Sequence, residues 1–171
     1  MGKFLAIVIL GSALIAGVGL YYLQVYHFYE EVAPTGEDVR LTSLASGEPQ
    51  VVPYDEFEAI DANSSPIRYR ACFTTTLTQD ALAEGYVPYE NAEPRVAPGW
   101  FDCFDAETVG TALKGGMARA FLGQRDVIYG IDRVVAVFDD GRGFVWHQIN
   151  RCGEIVFDGK PVPDGCPAPP E

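Results

Sequence analysis

The hydrophobic pattern divides the chain into one long apolar stretch at its start and a longer part with short alternating segments. Residues 4–22 read FLAIVILGSALIAGVGLYY, and no Asp, Glu, Lys or Arg occurs from Phe4 to Tyr29. Nineteen helical residues span about 28 Å, close to the ~30 Å hydrocarbon thickness of a bilayer. The pattern therefore predicts a transmembrane helix, which we assign to residues 1–30.

Two interpretations of this stretch compete, a cleaved signal peptide and a retained anchor. The segment Gly17-Val18-Gly19 offers small residues at a cleavage position, although no A-x-A occurs there. The apolar run continues beyond it into an aromatic cluster that ends at Tyr29, which is typical of an interfacial belt. We therefore favour the anchor.

Beyond residue 30 the pattern is that of an extracytoplasmic domain, which we assign to residues 31–160. Alternation of apolar and polar side chains, or short apolar runs between turns, predict strands. Cap residues and a period near 3.6 predict two short helices. The predicted strands are residues 39–44, 51–57, 67–75, 132–138, 144–149 and 154–157, and the predicted helices are 78–85 and 105–115.

These elements predict an α+β fold, an antiparallel sheet with two short helices. In the strand over residues 67–75, alternation places Tyr69 and Phe73 on one face and Arg68, Arg70 and Cys72 on the other. The last eleven residues, 161–171, contain five prolines and are expected to form an extended tail.

The net charge argues against one class of protein and indicates the orientation of the chain in a membrane. The chain has 171 residues and a net charge of −12, whereas a nucleic-acid-binding protein carries a basic surface, so that class is excluded. Lys3 precedes the span, whereas Glu30 and Glu31 follow it. Basic residues remain on the cytoplasmic side, so we expect a single-pass inner-membrane protein with a cytoplasmic N-terminus and a periplasmic domain.

The four cysteines, Cys72, Cys103, Cys152 and Cys166, all lie in the predicted external part. An even count in an oxidising compartment predicts two disulfides. Three pairings are possible, and we favour Cys72–Cys103 with Cys152–Cys166 because each joins sequence neighbours. The chain contains no C-x-x-C, so the common zinc and redox motifs are missing, and we predict no metal site and no cofactor.

Few residues carry recognisable chemistry. The external part has a single histidine, His147, within a predicted strand, where an imidazole is usually packed. No catalytic motif accompanies it, so we expect a protein that is not an enzyme. Trp100 and Phe104 in GWFDCFDAE are expected either to pack in the core or to form a contact patch for a partner.

The predicted span carries a stripe of small residues, formed by Ser12, Ala13, Ala16 and Gly17. Members four residues apart lie on one side of a helix, and small side chains allow close approach of a second helix in lipid. The stripe predicts a membrane-protein partner. The alternative is that it only reflects the Gly and Ala content common in membrane helices.

Two stretches, MGKFLAIVILGSALIAGVGLYYLQVYHFYEEV and GRGFVWHQINRCGE, resemble a family of short bacterial membrane-anchored proteins of unknown function. Some of its members carry a histidine kinase label. That label has no support in these residues, because a kinase needs glycine-rich nucleotide-binding motifs and a much larger cytoplasmic part. The resemblance implies a single-span protein of the bacterial envelope.

The sequence therefore favours an accessory subunit or assembly factor of a membrane complex, working by contact. A periplasmic ligand-binding or sensory module is the alternative, and it requires a pocket with converging polar groups. An enzyme of unrecognised type is the third interpretation, and it requires a cleft with strongly perturbed titratable groups.

Overall fold

The computed structural model of the protein describes residues 2–170, so Met1 of the predicted anchor and Glu171 of the predicted tail lie outside the described residues. The chain begins with α1, Gly2–Tyr22, which continues without a break into a π-helical turn, Leu23–His27. No residue of α1 is buried. Residues 2–27 are the one helix of the described chain that is long and apolar enough to cross a membrane, with a mean hydropathy of 2.3.

The remaining chain folds around an antiparallel sheet of six strands, in the order β1-β4-β5-β8-β7-β6. A separate hairpin of β2 and β3 lies beside it. The strands are β1 Glu30–Glu31, β2 Arg40–Thr42, β3 Pro49–Val51, β4 Asp55–Asp61, β5 Arg70–Thr74, β6 Ala118–Ile128, β7 Ile131–Phe138 and β8 Arg142–Ile149. The helices after α1 are α2 Gln79–Gly85, α3 Ala106–Gly115 and α4 Arg151–Phe157.

Both faces of the sheet are buried, because alternate side chains of its central strands enter two different apolar clusters. Val135 and Val145 lie in one cluster, which the β2–β3 hairpin and α2 cover. Val134 and Trp146 lie in the other, which α3 and the loop over residues 100–104 cover. The alternation predicted for residues 69–73 is confirmed, since Tyr69 and Phe73 enter the first cluster and Cys72 the second.

The two predicted short helices are confirmed, together with their caps. Thr78 accepts a hydrogen bond from the backbone N–H of Ala81 at the start of α2. Asp105 accepts from the N–H groups of Glu107 and Thr108 at the start of α3. These side chains satisfy backbone donors that the first turn of a helix leaves without a partner.

The predicted strand over residues 154–157 is wrong, because EIVF lies in a third short helix, α4. A short apolar run does not distinguish strand from helix. The deciding residue is Asn150, whose side-chain oxygen accepts from the N–H groups of Cys152 and Gly153 and so caps the helix.

Two further elements differ from the pattern. The predicted strand over residues 51–57 is divided into β3 and β4, with Pro53 between them, because proline has no N–H for a ladder hydrogen bond. The longest strand, β6, is not predicted from the sequence. Its register against β7 shifts at Leu122/Gln124 and again before Ile128, and these irregularities interrupt the alternation that identifies a strand.

Both favoured disulfides are confirmed. Cys72 of β5 is bonded to Cys103, with a Cα–Cα distance of 6.2 Å, and Cys152 of α4 to Cys166, with 5.7 Å. By the chain-entropy model each closed loop contributes roughly 3–4 kcal/mol. The second bond holds the proline-rich segment against α4.

A close approach of two glycines fixes α4 on the turn between β6 and β7. A Cβ atom on Gly153 would lie 2.3 Å from the carbonyl oxygen of Gly130 and 2.9 Å from Ile149 Cγ2. The N–H of Asn150 also donates to the Gly130 carbonyl, at 2.9 Å. Only a residue without a side chain allows this contact between two backbones.

We therefore predict that Gly153→Ala lowers the free energy of unfolding by about 1–3 kcal/mol, since the added methyl group overpacks the contact. Gly110→Ala in α3 is the matched control. Its Cβ would lie at an ordinary 3.8 Å from Pro94 Cγ, and helix propensity favours alanine by about 1 kcal/mol. Denaturant melts of the two variants followed by near-ultraviolet circular dichroism test this difference, and equal stabilities would contradict it.

Candidate functional site

The small residues predicted to form a packing stripe all lie exposed on α1. The hydroxyl of Ser12 donates to the carbonyl oxygen of Ile9 at 3.0 Å, so its polar group is satisfied within the helix. The stripe formed by Ser12, Ala13, Ala16 and Gly17 therefore presents a smooth surface on one side of the helix. Its partner remains a prediction.

His147 belongs to the packing of the sheet. Nδ1 lies 2.8 Å from the carbonyl oxygen of Pro66, and Nε2 accepts from Nε of Arg133 at 3.1 Å. The ring stacks on Tyr69 with a centroid distance of 4.9 Å. Burial, followed by the charge of Arg133, lowers the pKa of His147 to about 4. A neutral imidazole that donates from Nδ1 satisfies both contacts, and its two nitrogens are already used by the fold.

The structure separates the two aromatic residues proposed as partner contacts. Phe104 is only 5% exposed and packs edge-to-face on Phe144 and Trp146, so it belongs to the core. Phe104 therefore follows the core alternative of the two expected for it, because the loop that carries it folds over one face of the sheet. Trp100 is half-buried and faces the end of the apolar helix.

Trp100 joins the domain to the π-helical turn that ends the apolar helix. Its Nε1 donates to the carbonyl oxygen of Val25 at 2.6 Å. Its ring stacks on Tyr26, at a centroid distance of 6.5 Å, and meets Tyr29 edge-on at 6.0 Å. Amphipathic aromatic rings of this kind prefer the boundary between lipid and water.

Three side chains of β5 and the segment leading into it hold this junction together. Arg68 donates to the carbonyl oxygen of Gln24 at 3.3 Å, and its guanidinium lies 5.4 Å from the centre of the Tyr29 ring. Arg70 and Cys72 follow at alternate positions, and Cys72 bonds to Cys103. Arg70 and Cys72 occupy alternate positions of β5 and therefore face the covering loop together, while Arg68 lies two residues before the strand and meets the helix end.

Arg70 is buried, and it is paired with backbone carbonyl groups. Its guanidinium donates to the carbonyl oxygens of residues 95, 67, 69 and 96, at 2.8, 2.9, 2.6 and 3.1 Å. Burial lowers the pKa of Arg70 to about 10, with further contributions from Arg95 and Arg68, while Tyr29 and Asp61 act in the opposite direction. The group stays charged at neutral pH and fixes the loop over residues 95–96.

A cleft of about 600 Å³ opens at this junction, between the helix end and the loops over residues 65–70 and 95–99. Arg68, Arg70 and Arg95 all line it. Within residues 2–170, none of the three is in an ion pair with a carboxylate. Nε of Arg95 is buried and has no hydrogen-bond partner in the described chain. Such a cleft offers several donors to an anion.

Sequence reasoning placed Arg68 and Arg70 on one face of a strand, but it did not identify a cationic site. The alternation in RYR predicted that Arg68 and Arg70 lie on one face, which accounts for two of the three arginines of the cleft. Arg95 lies in a proline-containing loop 25 residues after Arg70, and no local pattern connects the two positions. The tertiary contacts of that loop bring the third guanidinium into place.

Comparison with known proteins gives one positive finding. A family model described as a family of unknown function (DUF6446) matches residues 39–167. No curated protein and no solved structure matches the chain.

We predict that His147 makes stability depend on pH. Its pKa is about 4 in the folded chain and ~6.5 when unfolded, so the unfolded state binds more protons between these values. The free energy of unfolding should therefore fall by about 3 kcal/mol as the pH falls from ~6.5 to ~4. Urea melts at several pH values measure this slope.

His147→Gln provides the control, because a glutamine amide can donate to the Pro66 carbonyl and accept from Arg133. The variant should lose the pH slope in that window while it remains folded and keeps the cellular role of the protein. An unchanged slope would assign the pH dependence to other groups.

Proposed function

Because the chain belongs to the DUF6446 family, which has no assigned function, we propose a role from the geometry of the chain itself. It is a single-pass membrane protein whose domain is held at the extracytoplasmic membrane surface. The domain works by contact with another membrane protein. The observation that carries this proposal is the apolar helix itself. It buries none of its residues in the fold, yet its end is joined to the domain by Trp100 and Arg68.

Retention of the helix as an anchor is supported by its continuity. Gly17-Val18-Gly19, the candidate cleavage segment, lies inside an unbroken helix that runs on to His27. The residues that follow it, Gln24 and Val25, accept hydrogen bonds from the folded domain. The aromatic groups around Trp100 match the belt expected where a spanning helix leaves the lipid.

The proposed compartment follows from the disulfides and from the flanking charges. Two disulfides require an oxidising environment, such as the periplasm. Lys3 before the span and the two glutamates after it favour a cytoplasmic N-terminus. We place the helix in the bacterial inner membrane, with the domain in the periplasm.

Contact is supported more strongly than catalysis by the use that the fold makes of its polar groups. His147 and Arg70 are engaged in packing and in backbone hydrogen bonds. Within residues 2–170, the small-residue stripe on α1 is a surface that has no internal partner. A second transmembrane helix fits it, since small residues allow close packing in lipid. We infer an accessory subunit or assembly factor of a membrane complex.

The anchor is tested with the full chain expressed in a bacterial host. We expect it to stay in the membrane fraction after alkaline carbonate extraction, with an N-terminus that begins before Phe4. A periplasmic reporter fused to the C-terminus should be active, and a cytoplasmic reporter at the same place inactive. A mature chain that begins near Leu20 would overturn the anchor, and the opposite reporter pattern would overturn the topology.

The stripe is tested by matched glycine substitutions within α1. Gly17 belongs to the stripe, whereas Gly11 lies on the opposite side of the helix at about 100° per residue. We predict that Gly17→Leu lowers photo-crosslinking from position 13 to a membrane partner by about five-fold, equivalent to ~1 kcal/mol, because the larger side chain separates the helices. Gly11→Leu should leave it unchanged. Equal yields in the two variants would exclude the stripe as the interface.

A further inference from the structure

The topology brings several segments to the end of the sheet where the apolar helix leaves it. Glu30 of β1, the first strand after the helix, pairs with Asp61 at the end of β4. Arg70 at the start of β5 pairs with Trp146, and Ile149 at the end of β8 pairs with Ile131. The loop over residues 62–69, the β6–β7 turn and α4 therefore lie at this same end, which we call the membrane-proximal end.

Two clefts at opposite ends of the sheet differ in charge. Arg68, Arg70 and Arg95 line the cleft beside the helix end. The cleft near the β7–β8 turn, of about 610 Å³, is lined by Asp105, Glu107, Asp139 and Asp140 together with Arg142, which forms an ion pair with Asp140. A chain with a net charge of −12 is repelled by an anionic surface, so the arginine cleft is the part of the domain suited to approach one.

Within residues 2–170, no carboxylate pairs with the three guanidinium groups of the arginine cleft. Arg68 uses one contact to the Gln24 carbonyl, and Nε of Arg95 is buried with no partner. Buried donors of native proteins are nearly always hydrogen-bonded, so an unpaired one indicates a missing acceptor. Asp61 is the acidic group whose field reaches Arg70. A bound anion would pair with the guanidinium groups of Arg68 and Arg95 and offset the repulsion between the three cations.

An apolar groove of about 480 Å³ adjoins the arginine cleft. Ser65 and Ile67 line both, so the two lie next to each other. Ile128 and Phe157 line the groove although each is 55% exposed, and Val96 beside the cleft is 80% exposed. Exposed large apolar side chains that line a groove beside a polar site are typical of a ligand or membrane contact.

The groove is built from rigid parts. Asn150 Nδ2 donates to the buried carboxylate of Asp132 at 2.8 Å and to Asp126 at 3.0 Å, which ties α4 to the β6–β7 turn. Cys152–Cys166 holds the proline-rich segment against α4. The hydroxyl of Tyr129 donates to the carbonyl oxygen of Pro167 at 3.0 Å. The groove therefore keeps its shape without a ligand.

We propose that the cleft and the groove together bind one anionic phospholipid of the membrane that α1 spans. Its phosphate lies against Arg68 and Arg95, and one acyl chain lies along the groove beside Ile128 and Phe157. Arg70 is the fixed support behind them, since its donors already hold the loop. The lipid is the occupant because the cationic and apolar surfaces meet at the helix exit, beside the aromatic residues of the interface. This assignment rests on the retained anchor proposed above.

The test uses the full chain in detergent, with lipid binding counted by native mass spectrometry. The probes are phosphatidylglycerol, phosphatidylcholine and glycerol 1-phosphate. We expect the unmodified chain to bind phosphatidylglycerol about ten-fold more tightly than phosphatidylcholine, equivalent to ~1.4 kcal/mol. Arg68→Gln with Arg95→Gln should remove this preference. Arg119→Gln is the matched control, because Arg119 is an exposed arginine at the opposite end of the sheet, and it should bind as the unmodified chain does.

Two further variants complete the test. Ile128→Ser with Phe157→Ser should weaken binding of both lipids several-fold, while glycerol 1-phosphate should fail to displace phosphatidylglycerol. If the double arginine variant does not give a native thermal melt, Arg95→Gln alone should reduce the preference in the same direction.

The lipid site is overturned if the arginine variants keep the preference for phosphatidylglycerol. It is also overturned if glycerol 1-phosphate competes equally well and the groove variant binds normally, since the ligand would then be a soluble phosphate. Carbonate extraction of the same variants separates the two proposals. Variants that stay in the membrane but keep their lipid preference contradict only the lipid site, whereas loss of the unmodified chain from the membrane contradicts the anchor.

Discussion

Strand β5 and the residues that lead into it hold the covering loop of the domain and the end of its apolar helix. Arg68 lies two residues before β5, and Arg70 and Cys72 occupy alternate positions of the strand, so these two side chains leave it on the same face. Arg68 donates a hydrogen bond to the helix end, and Arg70 donates to the carbonyl groups of the loop at residues 95 and 96. Cys72 forms a disulfide with Cys103. Trp100 lies between the last two attachments and therefore meets the helix in a defined position.

The burial of both sheet faces explains why the chemistry-bearing side chains serve the fold. A sheet covered on both sides has few surfaces where a polar group remains in water, so each buried polar side chain needs an internal partner. The partners of His147 are the Pro66 carbonyl and Arg133. Asp132 accepts from Asn150, and Arg70 donates to four carbonyl oxygens. Surfaces for binding are consequently found at the ends of the sheet and on the helix.

The clefts at the two ends of the sheet differ in charge, which supports the proposed position of the domain at a membrane surface. Three arginines line the cleft at the helix exit, whereas four carboxylates and Arg142 line the opposite cleft. Repulsion between an acidic domain and anionic headgroups would favour a tilted or distant domain. Local cations next to the anchor oppose that repulsion at short range, where screening by salt is weakest. The same arrangement would leave the acidic end facing away from the lipid.

The amino-acid sequence by itself determined the features that depend on local pattern. The uncharged run identified the apolar helix, Thr78 and Asp105 identified two helix starts, and alternation gave both faces of β5. Cysteine spacing favoured the observed pairing among three possible ones, because short loops close most readily, and the structure decided it. Tertiary structure alone decided the rest. The Asn150 cap makes EIVF part of helix α4, and the irregular register of β6 interrupts the alternation by which a strand is recognised. Phe104 is buried because its loop folds over the sheet. Arg95 reached the other arginines only through long-range contacts, which no local period encodes.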